Sequence, residues 1–188
     1  MKRIGILGGI GSGKSYVAKS FGYPIFNADK EVSNLYKKNI KIFYKLKKVL
    51  PKYFKKFPVE KTDISRAILD KDLNLKKIVR IVHFEIRKKM KIFLKKNKNR
   101  KFIILDIPLL LENKINKKND ILIFVHSKKH EVLRRLKKRK NFSEKLFRKF
   151  SNIQLSLDYK KKKSQFIIKN DFTKKTVSKY VKNILKRI

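Results

Sequence analysis

The chain has no cysteine. That absence removes disulfides, zinc–thiolate centres and thiol nucleophiles, and it fits a reducing compartment. Acid is also scarce: 14 Asp and Glu face 54 Lys and Arg, for a formal net charge of +40 over 188 residues. Chemistry that needs a carboxylate therefore has few places to come from. No apolar run approaches the roughly 18 residues that a membrane span requires. The basic, apolar start MKRIGIL is broken by GSGK and lacks a small-residue cleavage site, so it does not read as a signal peptide. A cytoplasmic enzyme with no membrane partner is the expectation.

What is abundant is lysine, spread along the chain after the first fifteen residues, from 37–38 to 174–175. A nucleic-acid interface concentrates its basic residues on one face, often among aromatics. Here the spread runs with abundant Asn, Ile and Phe, which share A/T-rich codons with Lys. Drift in base composition accounts for the four together. No specific nucleic acid is expected as a partner, only weak, salt-sensitive adhesion to polyanions. The expected assembly is a monomer or weak homo-oligomer.

The length suits one well-buried core with insertions. Five short apolar runs read as strands: 3–7 (RIGIL), 23–26 (YPIF), 101–107 (KFIILDI), 120–126 (DILIFVH) and 165–168 (QFII). Helical patterns occupy 14–21, 31–50, 64–96, 130–160 and 173–188. Most of these strands lack polar alternation and they alternate with helices. That predicts an α/β fold whose parallel sheet is covered by helices on both faces. The expected core spans about 1–33, 99–129 and 161–188, with helical insertions at about 34–98 and 130–160.

Four of the six glycines lie in GGIGSGKS, residues 8 to 15. Gly8-x4-Gly13-Lys14-Ser15 follows a strand and opens a helix, the setting of a P-loop. Triphosphate oxygens must come close to backbone N–H groups, and a Cβ would obstruct them. The helix N-terminus adds partial positive charge. Gly9, Ile10, Gly11, Ser12, Gly13, Lys14, Ser15 and Tyr16 are the candidate ATP-binding residues. Lys14 is placed to reach the β- and γ-phosphates, and the Ser15 hydroxyl to ligate Mg²⁺. Two carboxylates stand at strand ends, where such sheets bind ligands. Asp29 suits orienting an acceptor hydroxyl and taking its proton, or simply capping a helix. Asp106 suits holding a Mg²⁺-bound water or a substrate, or acting as a buried structural carboxylate.

GGIGSGKS after RIGIL, then FNADKEVSNLY, then LDIPLLLE, resembles the dephospho-CoA kinase family, whose members carry a similar loop, a D-x-D segment and a D-x-P-L-L-x-E segment. ISRAIL, IVHF, HEVLRRLKKR, Gln154 and Asn170 extend the likeness over nearly the whole chain. The resemblance implies a P-loop kinase fold with a CoA-binding helical insertion at about 34–98 and a lid at about 130–160. It implies transfer of a phosphoryl group from ATP, with Mg²⁺, to the ribose 3′-hydroxyl of dephospho-CoA. It assigns Asp29 as base, Lys14 as phosphate-binding lysine, and Arg135 and Arg139, four apart on one helical face, as lid arginines. Arg66, His83 and Arg87 become candidates for substrate contact. Asn27 stands where the family has the first aspartate of D-x-D, Tyr16 where it has threonine, Phe84 where it has proline and Val132 where many members have glutamine. Phe84 should let its helix continue. Two other readings share parts of this evidence: a nucleoside or nucleotide kinase, and a basic nucleic-acid-binding protein with a vestigial P-loop.

Overall fold

In the structure, a computed structural model, residues 1–139 and 142–188 are described. Lys140 and Asn141, inside the expected lid, lie outside the described residues. Among the described residues the strands are β1 (Lys2–Leu7), β2 (Ile25–Asn27), β3 (Phe102–Asp106), β4 (Ile121–His126) and β5 (Phe166–Lys169). The helices are α1 (Lys14–Ser20), α2 (Ala28–Lys38), α3 (Ile40–Val49), α4 (Lys61–Asp70), α5 (Asp72–Lys96), α6 (Lys129–Lys137), α7 (Glu144–Asn152), α8 (Leu157–Lys162) and α9 (Lys174–Leu185). They divide into two compact units, residues 1–27 with 97–188, and residues 28–96.

The first unit holds one five-stranded sheet in the order β2-β3-β1-β4-β5, parallel at every pairing. This is the expected α/β architecture. Ile4, Ile6, Phe102, Ile104, Ile123, Val125 and Ile168 project from one face into a core closed by Val17, Ala18 and Phe21 of the α1 region and Val177, Val181 and Ile184 of α9. Each fully buried aliphatic side chain contributes about 1.5–3 kcal/mol. On the other face, a Cβ on Gly5 would lie 2.6 Å from Leu110, so the segment after β3 presses directly on β1. Both faces of the sheet are buried, which explains why its strands read as continuous apolar runs. Strand β2 starts at Ile25 and not at Tyr23. Pro24 has no N–H to give the ladder, though its carbonyl accepts from Ile104 N at 2.9 Å.

The second unit is helical, with Leu35, Ile42, Phe43, Leu46, Ile78 and Val82 buried as their spacing predicts. Its long helical runs are interrupted where continuous helices were expected. Asn39 ends one helix and caps the next by accepting from Ile42 N at 3.2 Å. Lys71, in extended conformation, separates α4 from α5. Helix α5 runs unbroken through Phe84, as the missing proline allows. In the first unit, the described residues of the 130–160 stretch hold three helices, and Ser143 and Ser156 each accept from a backbone N–H at the start of the second and third.

Candidate active site

The loop between β1 and α1 is the centre of the site. Gly13 caps α1 with φ 88°, a left-handed conformation that a side chain resists, and a Cβ there would run into the Asn170 amide. The loop is tied down from behind. Ser12 O accepts from Ser127 Oγ at 2.9 Å and from Asn170 Nδ2 at 2.8 Å. Asn170 is buried and follows β5 directly, and its backbone N–H donates to His126 O at 2.8 Å. The ends of β4 and β5 thus fix the loop's shape. Lys14 folds back over the loop and donates to Gly9 O at 2.7 Å, while Ser15 and Tyr16 are exposed in the first turn of α1. Ser12 Oγ is buried and makes no hydrogen bond to the protein.

Asp106 ends β3 and is 3% exposed. It is the register partner of Asn27, whose side-chain amide donates to it. The residue in the first D-x-D position therefore engages the carboxylate at the end of β3. In a parallel sheet both lie at the C-terminal edge, the edge from which the loop after β1 also emerges.

Arg135 is on α6 and exposed, with its guanidinium carbon 4.3 Å from the centroid of the Phe172 ring. Arg139 lies beyond that helix: α6 stops at Lys137, and Arg139 N donates to Leu136 O at 3.0 Å in a tighter turn.

The other predicted residues belong to the second unit. Asp29 is exposed and sits in the first turn of α2, two residues beyond β2 and inside the helix instead of ahead of it. A carboxylate there is favoured by the helix dipole. Arg66 on α4 pairs with Asp63 at 2.5 Å, and Asp63 closes the capping box with Glu60. His83 and Arg87 are one turn apart on α5. Burial, with the Arg87 charge as a smaller cause, holds the His83 imidazole below its usual 6.5.

Ser127 and Phe172 were missed by the reading of residues, as was a buried ion pair between Lys160 and Glu112 at 2.8 Å, in which Lys160 also donates to Gln154 Oε1 at 3.1 Å. Lys160 stands in a run of four lysines, where nothing marks one as buried.

A glycine-rich loop with its lysine, seated after the central strand of a five-stranded parallel sheet of order 2-3-1-4-5, defines a P-loop kinase fold. Comparison with known proteins narrows this. The family model described as dephospho-CoA kinase (CoaE) matches residues 2–176. A dephospho-CoA kinase of Wolbachia pipientis wMel is 36% identical over 187 residues, covering 97% of this chain and 95% of the relative. Among solved structures, TT1252 from Thermus thermophilus aligns with TM-score 0.77 at 22% identity, covering 100% of this chain and 97% of that one. Dephospho-CoA kinase from Campylobacter jejuni aligns with TM-score 0.65 at 20% identity, covering 99% and 96%. At those identities the structures speak for the fold alone. The sequence matches speak for more: the chain belongs to the dephospho-CoA kinase family.

Proposed function

We propose that this chain transfers the γ-phosphoryl group of ATP to the ribose 3′-hydroxyl of dephospho-CoA, the last step of CoA biosynthesis, with Asp29 as base and the loop of residues 9–16 as phosphate cradle. The single observation that carries the reading is the loop itself. A Cβ on Gly8, Gly11 or Gly13 would collide with its neighbours, Lys14 lies across the loop, and a buried Ser12 hydroxyl waits without a protein partner. A phosphate oxygen satisfies that hydroxyl.

The reaction follows from charge. The loop N–H groups, the positive end of α1 and Lys14 hold the β- and γ-phosphates and offset the negative charge that moves toward the leaving oxygen. Asp29 accepts the proton of the acceptor hydroxyl as its oxygen bonds to the γ-phosphorus. The bond to the β–γ bridging oxygen breaks, and ADP leaves. Arg135 neutralises the transferring group from the lid, with Arg139 as a second cation from the turn that follows. Arg66, His83 and Arg87 are assigned to substrate contact in the helical unit.

The donors suit Mg²⁺. Ser15 and Asp106 offer only oxygen, and among the described residues no cluster of three or more His, Asp, Glu or Cys could hold a metal by itself. Mg²⁺ is ordinarily held by one or two protein oxygens with phosphates and water. Ser15 would ligate it directly and Asp106 through water. When bound, it supplies Lewis-acid neutralisation of phosphate charge.

The test is a coupled ADP-release assay at moderate salt with a substrate panel. Dephospho-CoA should be phosphorylated and nucleoside monophosphates should not. Asp29→Ala should keep ATP binding and lose roughly 10²–10⁴ in turnover. Lys14→Ala should lose both ATP affinity and turnover. Full turnover by Asp29→Ala would remove the base assignment, and preference for a nucleoside or nucleotide would replace the substrate.

A further inference from the structure

Phe172 holds its backbone at φ 64°, in the left-handed region. A residue with a bulky side chain is disfavoured there, and a strained residue persists only where its surroundings over-determine it. The surroundings are visible. Asn170 Oδ1 accepts from Phe172 N at 2.9 Å, while the same side chain's Nδ2 donates to Ser12 O at 2.8 Å. One buried asparagine therefore clamps both the strained residue and the phosphate loop. The Phe172 ring edge lies against the loop, with its Cε1 3.5 Å from where a Cβ on Gly13 would be. On the ring rests the Arg135 guanidinium, 4.3 Å from the centroid.

Glycine would fill this backbone position without strain, so the aromatic ring needs a reason. The geometry points to Phe172 as a positioning residue that seats Arg135 beside the phosphate loop. This rests on the assignment of Arg135 to the transferring phosphoryl group. The choice of a ring follows from electrostatics. Along the chain Arg135 is flanked by Arg134, Lys137 and Lys138, with Glu131 one turn before it on α6, and the loop carries Lys14. A carboxylate partner would hold it but would cancel its charge and repel phosphate. An aromatic face attracts the cation through its quadrupole and leaves the charge intact. A guanidinium held over a ring by its flat face keeps its N–H edges available to phosphate oxygens, which a carboxylate partner would occupy.

The experiment uses full-length wild type, Phe172→Gly, Phe172→Leu, Arg135→Ala and the Phe172→Gly/Arg135→Ala pair. Each is assayed for turnover with ATP and dephospho-CoA and melted thermally. Phe172→Gly is expected to melt at or above wild type, because glycine takes the left-handed conformation freely, yet to lose roughly three- to tenfold in kcat. Phe172→Leu keeps the bulk, loses the π face and should lose the same turnover. Arg135→Ala should lose more, and adding Phe172→Gly to it should lose nothing further. A purely structural Phe172 would couple to melting and not to kcat. Wild-type kcat in Phe172→Gly or Phe172→Leu, or an equal loss with and without Arg135, overturns the seat while leaving Arg135 in place. Wild-type turnover in Arg135→Ala removes both assignments. The contact is also read without turnover. Side-chain protons of Arg135 should show an upfield ring-current shift by NMR that disappears in Phe172→Leu, and unshifted protons in wild type overturn the proposal whatever the enzyme's substrate.

Discussion

Gly13 and Gly22 both have positive φ, 88° and 73°, yet their surroundings differ completely. A Cβ on Gly13 meets Asn170, which holds the phosphate loop; a Cβ on Gly22 meets nothing within 4 Å. Gly13→Ala should therefore displace the Asn170 amide from Ser12 O and weaken ATP binding at least about tenfold, equivalent to roughly 1.4 kcal/mol. Gly22→Ala should lower stability by about 1 kcal/mol through backbone strain and leave ATP affinity unchanged. Titration with a fluorescent ATP analogue, alongside thermal melts, separates the two. Equal ATP affinity in wild type and Gly13→Ala would mean that the loop tolerates a shifted Asn170. At this scale the P-loop was legible, since its spacing is set by chemistry within eight residues. The Asn27–Asp106 bond was not, because 79 residues separate the partners and only strand register brings them together.

Helices and strands divide in how openly they declare themselves. The five strands were readable as apolar runs because both sheet faces are buried, and their ends were off by at most two residues, at β2. The helix breaks were less visible. Asn39, Ser143 and Ser156 each cap the start of a helix inside a stretch that reads as one helical pattern. The end of α6 at Lys137 was equally hidden, and it leaves Arg139 in the turn that follows the helix of Arg135. Helix α8 depends on a group that sequence hides. Lys160 is 1% exposed and its partner Glu112, in the segment after β3, also accepts from Leu155 N at 3.0 Å. Glu112 Oε2 is buried and makes no hydrogen bond. Lys160→Met leaves that carboxylate buried without its cation, so stability should fall by roughly 3–5 kcal/mol. Lys160→Met with Glu112→Leu removes both charges and should recover most of that loss. Urea unfolding of the three proteins measures it, and a single variant as stable as wild type would show that water reaches Glu112.

Across the whole molecule, charge and fold pull against each other. A net +40 on 188 residues repels itself, and lysines occur along the sequence of both units. Repulsion between exposed charges falls as the screening length shrinks, from about 30 Å at 0.01 M salt to about 8 Å at 0.15 M. The melting temperature should therefore rise over that range and then level off. The same dispersed charge makes a second, separable prediction of how the chain meets nucleic acid. Duplex DNA should bind with an affinity that does not depend on base sequence and that falls steeply on a log–log plot against salt, as counterion release requires. Near 0.15 M salt, added DNA should leave the rate of dephospho-CoA phosphorylation unchanged, because a non-specific phosphate contact cannot reproduce the shaped cradle of residues 9–16. Salt titrations of melting temperature, DNA anisotropy and ADP release on one preparation test all three together. A preferred DNA sequence that survives 0.15 M salt and inhibits turnover would mean that the lysines form an organised surface. Their excess would then be a selected property and not the residue of base composition.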